Sequence, residues 1–270
     1  MAVSERQLAA FADKRAGQIP FDTSPRHLAG PGDIRHVTHG LAAAGWSAVS
    51  DPLGAEIVLR SPDQRLRLQF DPRSPTSAWW RLRADPTDTE PSWYAEFGEL
   101  VPAEVLAGFT DALITPPAQH QDPWQPVTSA NWHRDADGAA HSPDSMCHIE
   151  LRRLSHFHDR PSWHIETREP SSPRRRIWHA YFDERTPTHY IGAFLTALAD
   201  RSPLQRGMYD RTGHYNAVQE PSPLHPQQVA DAHTTRIESL RARARSARRQ
   251  QTNPATTPAK AHTAQPSAHR

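Results

Sequence analysis

The sequence predicts an α+β fold built from two tandem repeats, each a twisted antiparallel sheet with helix packed on one face. Three observations carry this. First, residues 61–115 and 142–200 spell one pattern twice: Ser61-Pro62-Asp63 answers Ser142-Pro143-Asp144, Trp80 answers Trp163, Trp93 answers Trp178, and Phe97 answers Phe182. The offset grows only from 81 residues at Ser61 to 85 at Pro102, so the copies differ by small loop insertions. Second, the segments between these landmarks alternate apolar and polar residues with the period of a strand and are split by short turns rich in Pro and Asp. Such turns favour antiparallel hairpins over crossovers. Third, each copy closes on a proline followed by an amphipathic stretch: Val105, Leu106, Phe109 and Leu113 after Pro102, and Tyr190, Ile191, Phe194 and Leu198 after Pro187.

The elements of the first copy follow in order. Residues 4–16 predict a helix, with Ser4 and Gln7 as a capping box. Asp33 reads as an N-cap, Ile34, Val37 and Leu41 form one stripe, and Gly45 ends a helix over about 34–44. Five strands come next: Trp46–Ser50, Glu56–Arg60, Arg65–Phe70, Trp79–Ala84 and Trp93–Phe97. In the third, Leu66, Leu68 and Phe70 share one face and Arg65, Arg67 and Gln69 the other. Pro102 then opens a helix to Ile114.

The second copy reads as shorter. Trp132 answers Trp46, but His133–Ala140 has little strand character, so about four strands are expected, and the helix before Trp132 is expected to be missing. Thr186 reads as the N-cap of the closing helix. The organisation expected is a helical N-terminal segment (1–20), a first repeat domain (21–115), a linker (116–130), a second repeat domain (131–201), a Pro-rich extended segment (202–226), a basic helix (227–250) and a disordered tail (251–270). Each copy is too small to bury a generous core alone, so the two are expected to pack as an intramolecular pseudo-dimer.

Composition narrows the function classes. Hydrophobic content is 36% with 26 prolines, which leaves part of the chain outside any core. Cys147 is the only cysteine, excluding an internal disulfide and a thiolate cluster, and it reads as a buried structural thiol. No apolar run suits a signal peptide or a membrane span, so a cytoplasmic protein with no membrane partner is expected. The only lysines are Lys14 and Lys260, a bias that reads as GC-rich coding.

Ser24-Pro25-Arg26-His27-Leu28-Ala29-Gly30, Gly45-Trp46, Asp51-Pro52-Leu53, Leu59-Arg60-Ser61-Pro62-Asp63, Phe70-Asp71-Pro72 and the helix core Ala107-Gly108-Phe109-Thr110-Asp111-Ala112-Leu113 together resemble a streptomycete domain of unknown function, number 317 in its naming series. The resemblance spans residues 21–200 and is looser in the second copy. It implies a bacterial protein with two copies of the domain, and it implies no activity.

Two faces are candidates for chemistry. Alternation turns Arg65, Arg67, Trp79, Arg81 and Arg83 of the first copy away from the core, joined by Tyr94, with Glu96 the nearby acid. Arginines interleaved with rings on a sheet suit single-stranded nucleic acid, with phosphates on guanidinium groups and bases on rings. The competing reading is a solvated face, or one covered by the second copy. In the second copy Arg67 becomes His148, Arg81 becomes His164, Tyr94 becomes His179 and Arg83 becomes Glu166. With Glu150 these could ligate zinc or another divalent metal, although the spacing matches no metal motif. His156 and His158 read as turn residues. The tail arginines Arg236, Arg241, Arg243, Arg245, Arg248 and Arg249 are a second basic feature, either contacting nucleic acid or solvated. No nucleophile elbow, phosphate loop or dinucleotide glycine pattern occurs. The expectation is a non-enzymatic binding or interaction protein without cofactors, with an unknown protein partner and nucleic acid as candidate ligands. A metal-dependent enzyme and an accessory or immunity-like protein acting by protein–protein binding are the alternatives.

Overall fold

A computed structural model describes residues 3–51, 53–115, 122–153 and 161–252. His156, His158 and the tail beyond residue 252 lie outside these residues.

The first repeat runs β2 (Ser47–Ala48), β3 (Ile57–Arg60), β4 (Leu66–Phe70), β5 (Ala78–Ala84) and β6 (Trp93–Gly98), then α3 (Ala103–Ile114). The second runs β7 (His133–Arg134), β8 (Ala140–His141), β9 (Cys147–Arg152), β10 (Ser162–Glu169) and β11 (Ser172–Phe182), then α5 (Thr188–Ala199). Among the described residues five strands therefore appear in each copy, where about four were expected in the second; its first two are cut to two residues apiece.

All ten strands form one antiparallel sheet in the order β2-β3-β4-β5-β6-β11-β10-β9-β8-β7. The copies meet edge to edge: β6 pairs with β11 through Phe97↔Ala180, Glu96↔Tyr181 and Ala95↔Phe182. Glu96 and Tyr181 occupy the same place in the two repeats, so a pseudo-twofold axis passes between them. The repeat Phe pairs cluster under this seam. Phe97, Phe109, Phe182 and Phe194 are all fully buried, with Phe97 and Phe182 5.4 Å apart and Phe109 5.4 Å from Phe182. Each such side chain contributes roughly 2–3 kcal/mol by leaving water.

Helices cover one face of the sheet. α3 and α5 cross at the axis, where Gly108 leaves no room for a side chain: a Cβ there would stand 2.5 Å from the Cβ of Ala197. α2 (Arg35–Ala43) packs beside α3, and α4 (Gln125–Ser129) takes the same place beside α5. The helix before Trp132 is thus shortened rather than missing, and it falls inside residues expected to be linker. Both helices end alike. Gly45 (φ 88°) and Asn131 (φ 63°) adopt the left-handed conformation, and the next N–H, of Trp46 or Trp132, reaches back to the carbonyl of Leu41 or Val127. Asp33 is not the N-cap expected: Ile34 holds that position, and Asp33, one residue earlier, accepts from the N–H and the guanidinium of Arg35. Thr186 does not cap α5. Its hydroxyl donates to Asp183 and to the Tyr94 carbonyl, and Pro187 stands at the helix start.

The flanks close over the helices. β1 (Pro20–Ser24) lies between β12 (Leu204–Gly207) and β13 (Val218–Pro221) in a separate three-stranded sheet. Fully buried Arg206 ties this sheet to α3 by a two-pronged ion pair with Glu104 and by donating to the carbonyls of Ala29 and Gly30. α1 (Glu5–Ala16), with its capping box formed, packs against α6 (Pro226–Thr252), and α6 lies on α2 and α3 of the first repeat.

The repeated Ser-Pro-Asp is a brace. The Ser61 hydroxyl donates to Asp63 and accepts from the Leu66 N–H; Ser142 does the same with Asp144 and the Cys147 N–H. The tryptophans at 46, 80, 93, 132, 163 and 178 are all buried, as even recurrence in both copies implies. Cys147 is fully buried, and burial pushes its thiol well up.

Candidate nucleic-acid interface

Because the helices take one face and the repeats join by their edges, the other face of the ten-stranded sheet is not covered by the second copy. Alternation along the strands and register across them arrange its side chains in rows. One row runs Arg60↔Arg67↔Arg83↔Tyr94 over β3, β4, β5 and β6. The next runs Val58↔Gln69↔Arg81↔Glu96↔Tyr181↔His164↔Glu150 and crosses the seam. A third, on the second repeat, runs His133↔His141↔His148↔Glu166↔His179.

The first row is electrostatically unusual. Three arginines stand directly opposite one another with no carboxylate in the row. Arg67 and Arg83 are exposed. Among the described residues Arg67 has no side-chain partner, and Arg83 has only the ring of Tyr94, 5.5 Å from its guanidinium carbon. Like charges facing across strands destabilise a sheet. Arg65 is spoken for, donating to the Asp85 carbonyl and pairing with Glu90. Arg81 donates to the hydroxyls of Ser74 and Thr76. Trp79 sits at a bulge in β5, half-buried, its ring 6.1 Å from that of Phe70. Tyr94 donates to Glu96 at 2.7 Å; burial, then this carboxylate, pushes the phenol well up. Glu96 is held low first by the hydrogen bond with His179, then by that from Tyr94.

The second repeat presents the predicted histidines on the same face but spends its carboxylates on arginines. Glu166 accepts from Arg168 and Arg176, and Glu150 from Arg152. Burial works to raise Glu166, but those two arginines hold it below the usual range. His148 bonds His141 at 2.6 Å, His164 bonds Ser162 at 3.2 Å, and His179 reaches Glu96 at 3.4 Å. His148 and His164 are both lowered, chiefly by burial. Among the described residues no group of three or more His, Cys, Asp or Glu is placed to hold a metal ion. The four candidates share a face without converging on a point.

The tail arginines divide. Arg236 pairs with Asp111 and donates to the His36 carbonyl, Arg241 donates to the Val3 carbonyl, and Arg248 to that of Ala44. Arg236 and Arg248 fasten α6 to the first repeat, and Arg241 fastens it to the N-terminal segment. Arg243, Arg245 and Arg249 lie on its exposed side.

Sequence alternation found Arg67, Arg83 and Tyr94. It missed Arg60, although Arg60 ends a predicted strand in phase with Arg67. It missed Tyr181 and Arg176 because the pairing of β6 with β11 has no local signal.

Comparison with known proteins gives a family and nothing further. Residues 60–118 and 141–204 each match SPDY, a domain of unknown function (DUF317). No curated protein and no solved structure matches the chain. Among the described residues no helix is long and apolar enough to cross a membrane.

Proposed function

From a chain that carries the SPDY domain twice in tandem, we propose a non-enzymatic binding protein that holds single-stranded nucleic acid on the open face of its first repeat. The observation that carries this is the row Arg60, Arg67 and Arg83, three cations set opposite one another without an acid and ending on the ring of Tyr94. A fold keeps such a repulsive arrangement at a cost in stability, and a polyanion relieves it. The rings beside it give bases a surface without reading sequence. Arg243 and Arg245 of α6 are secondary contributors on the helix side of the molecule.

Fluorescence anisotropy with a labelled 12-nucleotide single strand tests this. Binding is expected at low salt, with log K falling against log salt at a slope of about −2 if three phosphates are contacted. Arg67→Ala and Arg83→Ala are each expected to weaken binding several-fold and to raise the melting temperature slightly, because each removes one of three like charges in a facing row. Absence of binding at low salt would eliminate the proposal. So would arginine variants that bind as the parent does.

A further inference from the structure

The open face is not flat at the seam. A cavity of about 310 Å³ opens between β5, β6, β11 and β10, and both repeats build it. The first contributes Thr76, Ser77, Arg81 and Glu96, the second His164, Glu166, Arg176, His179 and Tyr181. We propose that this cleft takes one nucleotide, base and phosphate together, of the strand held by the arginine row. The inference rests on the function proposed above and names the part of the ligand that fixes its position.

The pseudo-twofold supplies the first argument. A symmetric seam would carry matched residues on its two sides. Here Arg81 and Glu96 stand on one side, while their repeat equivalents, His164 and Tyr181, stand on the other. The first-repeat side of the cleft is charged, and the second-repeat side sets two rings beside Glu166 and Arg176, so the cleft offers both charge for a phosphate and rings for a base. The Tyr181 and His164 rings are 5.0 Å apart, and Tyr94 lies 6.4 Å from Tyr181. Rings thus lead from the arginine row into the cleft. A base is held on such rings by stacking.

The second argument is hydrogen bonding. The guanidinium groups of Arg81 and Arg176 converge from different repeats on one short loop: Arg81 donates to the hydroxyls of Ser74 and Thr76, and Arg176 to that of Ser77. Both partners of Arg81 are neutral hydroxyls, which a phosphate oxygen outcompetes. Glu96 Oε1 meets His179 at 3.4 Å, and a carboxylate oxygen can accept a second bond, here from an exocyclic amine of a base. His179 is 7% exposed and packs its Nδ1 over Gly98, so it shapes the cleft without offering that nitrogen to a ligand. The cavity lies at the lower end of the size range of small-molecule sites, which suits a single nucleotide and not a duplex.

The row and the cleft span β3 to β10, five inter-strand steps or about 24 Å. A strand lying across the sheet, rather than along it, meets both.

The test uses the full chain and a labelled 12-nucleotide oligodeoxycytidylate, whose base carries an exocyclic amine. Ser77→Trp fills the cleft from an exposed loop position, and Tyr181→Ala removes the ring wall. Each is expected to weaken binding about tenfold; Tyr181→Ala leaves the salt slope unchanged, since only a ring is lost, whereas Ser77→Trp lowers it by about 0.7, since the Arg81 phosphate contact goes with the base. Arg67→Ala is expected to reduce the slope with the cleft intact. Thermal melts establish that each variant is folded. If both cleft variants bind as the parent does while Arg67→Ala does not, the cleft proposal falls and the arginine-row reading stands. If no protein binds the strand at low salt, both fall. Deoxycytidine monophosphate is the competing arm: displacement of the strand only at millimolar levels supports the placement. Binding as tight as the strand's, indifferent to Arg67→Ala, identifies a free-nucleotide site and overturns it.

Discussion

Gly108 shows how one residue sets the approach of the two copies. In a helix interior, glycine costs about 1 kcal/mol against alanine, so Gly108→Ala in an isolated helix would be stabilising. Here the added methyl meets the Ala197 Cβ at 2.5 Å, inside any real contact distance. The helices must separate, and overpacking of this kind costs about 1–3 kcal/mol. Gly108→Ala is therefore expected to lower the melting temperature, and Ala197→Gly, placed in the same molecule, to restore part of the loss. Arg206 is the polar counterpart. Removing it strands Glu104, a carboxylate that burial works to raise but that the Arg206 charge holds at about 2. Breaking one partner of such a pair costs about 3–5 kcal/mol, so Arg206→Met is expected to damage the fold more than any change on the open sheet face.

At the scale of elements, α6 is fastened by imidazoles as well as arginines. The His233 ring stacks on Phe11 of α1 at 3.9 Å, and its Nε2 shares a hydrogen bond with His39 Nδ1 of α2 at 3.1 Å. Burial, with Glu104 opposing and Arg236 and Arg15 assisting, lowers His36 to about 4. Burial and the neighbouring His36 and His39 lower His233 to about 3. Both sit below the ordinary 6.5, so the unfolded chain binds more protons across the interval. Stability is then complete above about pH 6.5 and falls as pH drops toward 4. Urea melts at pH 7 and pH 5 are expected to show a lower midpoint at pH 5, and His233→Phe to flatten the difference; equal midpoints in the parent would refute this. The sheet strands were readable because their residues alternate with period two, and α3 and α5 because each spans three turns of one apolar stripe. α4 was not, since five residues hold barely more than one turn, although Asn131 is a residue type that tolerates the left-handed stop it makes. Nor was the small sheet, whose pairs such as Thr23↔Leu204 join residues 181 positions apart. The open face was legible as a list of arginines, but not as a row and a cleft, because rows follow from register and the cleft from a seam between strands remote in sequence.

At the scale of the molecule, the two copies share one sheet and one aromatic cluster, so they cannot unfold separately. Phe182→Ala, in the second copy, is expected to cost about 3–5 kcal/mol and to lower the single melting transition as a whole, as seen by circular dichroism; two separated transitions would contradict a common core. The ends of the chain are also exchanged between the copies. β1, which precedes the first repeat, is paired on both sides with strands that follow the second, and α6 returns from beyond the second repeat to lie on the first. Cutting the backbone between Thr115 and Asp122 consequently divides the covalent chain without dividing the object. A specific protease site engineered there should yield two bands on a denaturing gel and one peak on size exclusion, each fragment serving as the other's missing half.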